Sequence, residues 1–97
     1  MHRTLIHGDG YGIYARALEA TPRFSNVVAS VEWAIGRNAE LFPEVPGTNG
    51  IRVIKTDKVT METDDGPIVV SALRVAFRIL DAQRAELLAI EIIPDAD

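Results

Sequence analysis

The apolar positions of this chain change period once, near residue 50. Before that point they recur every three or four residues; after it they alternate. Tyr11, Tyr14 and Leu18, with Ile13 and Ala17 beside them, predict a short helix over 11–20, opened by Asp9-Gly10 after a short extended N-terminus. A second helix is predicted from Thr21-Pro22. The Thr21 hydroxyl can accept a free backbone N–H, and Pro22 suits a first helical position, where no N–H is needed. Phe24, Val27, Val28, Val31 and Ile35 then form one apolar stripe, the mark of a helix packed on a flat partner. Trp33 lies roughly opposite that stripe. It either covers the first helix or a loop, or stands out as an anchor for a binding partner. Residues 41–50 hold two prolines and two glycines and are expected to form a loop that packs down on its own apolar residues.

Alternation then predicts strands. One covers 51–55, continuing through 58–62 after a bend, and Asp64-Asp65-Gly66-Pro67 makes a turn. A long strand is expected over 68–80. Val69, Ser71, Leu73, Val75, Phe77 and Ile79 share its mostly apolar face, with Ala72, Arg74, Ala76 and Arg78 on the other. Asp81-Ala82-Gln83-Arg84 reverses the chain. The last strand, over 85–93, is expected to turn Glu86, Leu88, Ile90 and Ile92 inward and Leu87, Ala89 and Glu91 outward. Two amphipathic helices before such strands predict an α+β fold: two N-terminal helices packed on one face of an antiparallel β-meander of three or more strands.

Composition narrows the setting. Ninety-seven residues, 47 % of them hydrophobic, are enough for one domain spanning 1–97 with a modest core. With no cysteine, neither disulfides nor thiolate metal sites are possible. No apolar run is long enough for a signal peptide or a membrane span, so a cytoplasmic protein with no membrane partner is expected. A net charge of −4 argues against nonspecific binding to a phosphate backbone, although a local basic surface remains open to it.

That surface is the main candidate for chemistry. Arg74 and Arg78, four residues apart on one strand, share a face. Arg52 joins them if Ile51 and Val53 turn inward, with Lys55 and Lys58 near the rim. Such a set suits bidentate recognition of carboxylate or phosphate. Glu91 and the acidic residues near 57–65 could equally neutralise it as surface ion pairs. Elsewhere the signals are weak. His2, His7 and Asp9 share no regular element, so no metal site is expected. Gly8-Asp9-Gly10 lacks the spacing of a dinucleotide loop, Asp64 and Asp65 serve a turn, and no serine carries a nucleophile signature. No cofactor is implied.

Three stretches nevertheless resemble the RelE/ParE toxin superfamily: Ile51-Arg52-Val53-Ile54-Lys55-Thr56, Leu73-Arg74-Val75-Ala76-Phe77-Arg78-Ile79-Leu80-Asp81, and Ala85-Glu86-Leu87-Leu88-Ala89-Ile90-Glu91. The resemblance implies helices on an antiparallel sheet with a functional concave face. It also implies a toxin component of a bacterial toxin–antitoxin system, held by a cognate antitoxin and acting on ribosome-bound mRNA or another target. Arg52, Lys55, Arg74 and Arg78 would match the basic residues of that surface, where they could stabilise charge on a scissile phosphate. Phe77 stands where the family commonly has Tyr, and Pro94-Asp95-Ala96-Asp97 follows the last strand where Tyr or His is common. These departures favour the alternative: a non-catalytic protein-binding or self-associating module with the same fold.

Overall fold

The computed structural model describes residues 2–20 and 22–93. In chain order it has β1 (Thr4–His7), α1 (Asp9–Glu19), α2 (Pro22–Asn38), a single 3-10 turn (Ala39–Leu41), β2 (Ile51–Lys55), β3 (Val59–Thr63), β4 (Gly66–Val70), β5 (Leu73–Ile79) and β6 (Arg84–Ile92). The architecture is α+β, with both helices preceding all strands but one. The expected cap at Thr21 lies outside the described residues, but Pro22 does open α2. Along α2 the predicted stripe faces the core: Phe24, Val28, Val31 and Ile35 are buried, and Val27 packs against them.

The main sheet has the order β1-β6-β5-β2. β2–β5 and β5–β6 are antiparallel, as the alternation suggests, whereas β1 runs parallel to β6. The expected meander is thus extended into a mixed sheet by the N-terminal segment. Residues 4–7 are too short to show a periodicity, and nothing local marks their pairing with residues eighty positions away. Glycine is required where β1 ends. A Cβ on Gly8 would lie 2.8 Å from the Leu87 carbonyl oxygen, which accepts the Gly8 N–H at 2.9 Å.

The strand expected over 68–80 is two strands in two sheets. β3 and β4 form a separate antiparallel hairpin, and the chain leaves it at Ser71-Ala72 to begin β5. Phase changes at that break. Val70 is 1 % exposed and joins the core, whereas Val69, on the predicted inward face, is 47 % exposed. Beyond the break the predicted face holds, with Leu73, Val75 and Phe77 all fully buried. The segment 58–62 likewise belongs to the hairpin and does not prolong β2. Its turn uses Gly66 at φ 106°, a left-handed conformation that follows Asp64-Asp65 at little steric cost for glycine alone.

A second phase change corrects the reading of β6. Ala76 pairs with Ala89 but Phe77 pairs with Leu87, so Leu88 is an extra residue, a β-bulge. Ala85 and Leu87 therefore point into the core, opposite to expectation, while Glu86 faces away. After the bulge Ile90 is buried as expected. A period-two pattern cannot reveal an inserted residue when the insertion is itself apolar.

The core lies between the helices and the inner face of the main sheet, with Tyr11, Ile35, Leu73, Phe77 and Leu87 among its fully buried side chains. Fully burying each such residue stabilises the fold by roughly 1.5–3 kcal/mol. Arg3, itself buried, ties β1 to its surroundings. Its Nε donates to the Asp81 carbonyl at 3.0 Å, its Nη2 bonds Glu40, and its backbone N–H donates to Gly36 at 2.7 Å.

Candidate functional site

The open face of the main sheet can be read row by row from strand register, because directly opposed residues share a face. One row is Lys55–Arg74–Glu91; the next is Val53–Ala76–Ala89; the third is Ile51–Arg78–Glu86, extended by Ile6 of β1. Arg74 and Arg78 do share this face, as the alternation of β5 predicts. Each is directly opposed by a carboxylate of β6, and each is bonded to it. Arg74 donates through Nε and Nη2 to Glu91, and Arg78 Nη2 donates to Glu86 Oε1 at 2.8 Å. The arginine side chains remain 43 % and 44 % exposed. Ion pairs this wet contribute ~0–1 kcal/mol each. What they do accomplish is to neutralise the two arginines.

Arg52 does not join this set. It is opposed to Phe77, so it lies on the helix-side face, and Ile51 and Val53 occupy the open one. Its guanidinium donates to the Phe42 carbonyl at 2.6 Å, the Glu40 carbonyl at 3.3 Å and the Glu44 carboxylate at 3.3 Å. Three acceptors from one loop make Arg52 the fastener of residues 40–44 over the edge of the core, where Phe42 meets Phe77 edge-on at 5.9 Å. The expected placement fails by one residue of phase, the smallest error that moves a strand side chain to the opposite face.

Lys55 does reach the open face, directly opposite Arg74. These two like charges border a groove of about 610 Å3 lined by Phe42, Pro43, Val45, Pro46 and Val53, with Glu44 on its rim. Here alone on the sheet two of the predicted cations come together. Arg78 sits two rows away.

Trp33 stands on α2, away from its buried stripe. It is 58 % exposed, with the Arg37 guanidinium 4.9 Å from its ring centre. A large aromatic held at the surface under a cation suits an anchor for a partner.

A polar cluster that periodicity does not reveal joins β1, α1 and α2. The fully buried Tyr11 donates its hydroxyl to Glu32 Oε2 at 2.7 Å, and His7 lies 3.7 Å from Glu32 Oε1 with its ring 5.1 Å from that of Tyr11. Glu32 is the only carboxylate on the inner part of α2, and that charge in an otherwise apolar stretch is the signal the sequence holds. Among the described residues no group of three or more His, Asp or Glu side chains is placed to hold a metal.

A second groove, of about 550 Å3, runs between α1 and the C-terminal half of β6. Tyr14, Ala17 and Leu18 form one wall and 88–92 the other. No helix among the described residues is long and apolar enough to cross a membrane. The chain matches no protein-family model, no curated protein and no solved structure.

Proposed function

We propose that this chain is a RelE/ParE-like protein that works by holding another protein, not by cutting RNA. One observation carries the proposal: Arg74 and Arg78 are each bonded to the carboxylate directly opposite, and Arg52 lies on the other face. Stabilising a scissile phosphate requires cations aimed at a site where charge develops. Here each of the two guanidinium groups already has a carboxylate bonded beside it, so neither presents an uncompensated charge to a phosphate. Exposed apolar residues favour the same view. Trp33, Tyr14 and Ile13 stand on the outer surfaces of the two helices, the residue types from which protein interfaces draw their anchors. A cognate antitoxin and a second copy of the chain are the partners in keeping with such a role.

The juxtaposition of Lys55 and Arg74 favours a second reading, in which a toxin acts on mRNA or another anionic target through that corner of the sheet. Mapping mRNA ends in a translation extract separates the two. The protein-binding role predicts intact message at any protein concentration, whereas defined cuts that vanish in Arg74→Ala would overturn it.

A further inference from the structure

The row Lys55–Arg74–Glu91 sets two cations against one carboxylate, on a molecule whose net charge is −4. Glu91 is bonded to Arg74, so Lys55 is the charge left over. Among the described residues no carboxylate bonds it. The acidic residues around it are engaged or turned elsewhere: Glu44 is bonded to Arg52, and Asp57 lines a separate cleft against α2. Directly opposed side chains lie about 4.5–5.5 Å apart at Cβ, and like charges so placed destabilise a sheet. An anion received between Lys55 and Arg74 would relieve that repulsion. The same two residues border the groove of about 610 Å3, a volume within the range of small-ligand pockets, roughly 300–1,000 Å3. Its apolar walls are held in place before anything binds. The Val45 N–H donates to the Ile51 carbonyl at 2.8 Å, the Thr48 hydroxyl donates to the Val45 carbonyl, and Arg52 fixes Phe42 and Glu44. Pro43, Val45 and Pro46 are nevertheless exposed along it. A preformed groove needs little ordering on binding.

We infer that this groove receives an acidic, apolar peptide segment of a partner protein, with a carboxylate at Lys55 and Arg74 and an apolar side chain against Val45, Pro46 and Val53. The inference rests on the protein-binding reading above and names the chemistry that the partner presents. Charge complementarity sets the sign of the occupant. Lys55 supplies the uncompensated charge, and Arg74, which uses Nε and Nη2 on Glu91, keeps Nη1 to share a carboxylate with it. The walls choose between peptide and nucleic acid. Lys55 could meet a phosphate as readily as a carboxylate, but single-stranded RNA also needs faces on which its bases stack. The one aromatic ring along the groove, Phe42, is packed at right angles on Phe77, and the other apolar walls are aliphatic. An apolar side chain next to a carboxylate uses both parts of the groove, whereas a polynucleotide uses only one.

The experiment is an NMR titration of the isotope-labelled full chain with a capped peptide, acetyl-Leu-Asp-Phe-Glu-amide, followed by backbone amide shifts. Two further probes run beside it: the same peptide with Asn and Gln replacing its acidic residues, and penta-uridylate. The acidic peptide is expected to give saturable shifts at Val45, Val53, Lys55 and Arg74. The neutral peptide should bind roughly tenfold more weakly or worse, as expected on losing a charged hydrogen bond. Lys55→Gln, a change at an exposed position, should weaken the acidic peptide by a similar factor. Val45→Asp, which sets a carboxylate in the groove wall, should abolish binding; both variants are checked for native circular dichroism. No saturable shift at these residues with millimolar acidic peptide overturns the inference. So does equal binding of the acidic and neutral peptides, or binding that Lys55→Gln leaves unchanged. Tighter binding of penta-uridylate at the same residues would assign the groove to nucleic acid and overturn it as well. Defined mRNA cuts in the translation extract would refute the protein-binding reading, whereas intact message beside a groove that takes no peptide would refute this inference alone.

Discussion

Arg52, Arg74 and Arg78 are the same residue type on neighbouring strands, yet they have different tasks because register assigns them different neighbours. Arg74 and Arg78 meet carboxylates; Arg52 meets carbonyl oxygens at the end of a loop. Two other carboxylates reveal their pairing electrostatically. Asp81 accepts the Gln83 backbone N–H and then Arg84, and these hold its carboxyl below the usual range; Glu40 is lowered by its hydrogen bond and attraction to Arg3. A carboxyl whose folded pKa lies below its unfolded value adds stability that is complete above the unfolded value and lost as pH falls through the folded one. Thermal stability is therefore expected to hold steady from neutral pH and to decline below the ordinary values, 4.5 for Glu40 and 3.8 for Asp81. Melting curves of Glu40→Gln/Asp81→Asn should show a shallower acid decline than the wild type; an identical decline would remove these two groups from the explanation. The positions of Arg74 and Arg78 were legible from strand alternation alone. Arg52 was not, because its face depends on which residue of β5 it opposes, and that is a non-local choice.

At the scale of elements, both helices and β5 follow directly from spacing. What spacing hides is interruption. The long alternating run over 68–80 reads as one strand because Val69 and Val70 are both apolar, so either phase is plausible until the break at Ser71-Ala72 selects Val70 for the core. Leu88 hides the bulge in β6 in the same manner. The crossing from β1 to α1 depends on Gly8, whose close approach to the Leu87 carbonyl leaves no room for a methyl group. Gly8→Ala is expected to destabilise the fold by roughly 1–3 kcal/mol, as overpacking against backbone does. Gly12, inside α1 with nothing within 4 Å of a built Cβ, provides the contrast. Gly12→Ala should be neutral or stabilise by up to ~1 kcal/mol. Urea unfolding of the two variants measures both, and equal effects would contradict the assigned contact.

Across the whole molecule, which extends 44 × 28 × 24 Å, charge is arranged against anions. The net charge is −4, the hairpin of β3 and β4 carries exposed Glu62, Asp64 and Asp65 around its tip, and the open sheet face balances its arginines with glutamates. A surface of this kind repels a phosphate backbone at long range and offers it little at contact. Its apolar groove and exposed aromatics are what remain for recognition, and they suit protein.

The most direct test of this neutralisation is fluorescence anisotropy of a short single-stranded RNA at low salt, comparing the wild type with Arg74→Ala/Arg78→Ala and with Glu86→Gln/Glu91→Gln. The wild type is expected to bind no more tightly than the arginine-free variant. The glutamine variant, with its guanidinium groups released, should gain affinity with a salt dependence of about 0.7 log units per phosphate contacted. Tight, steeply salt-dependent binding by the wild type, abolished in Arg74→Ala/Arg78→Ala, would contradict the account.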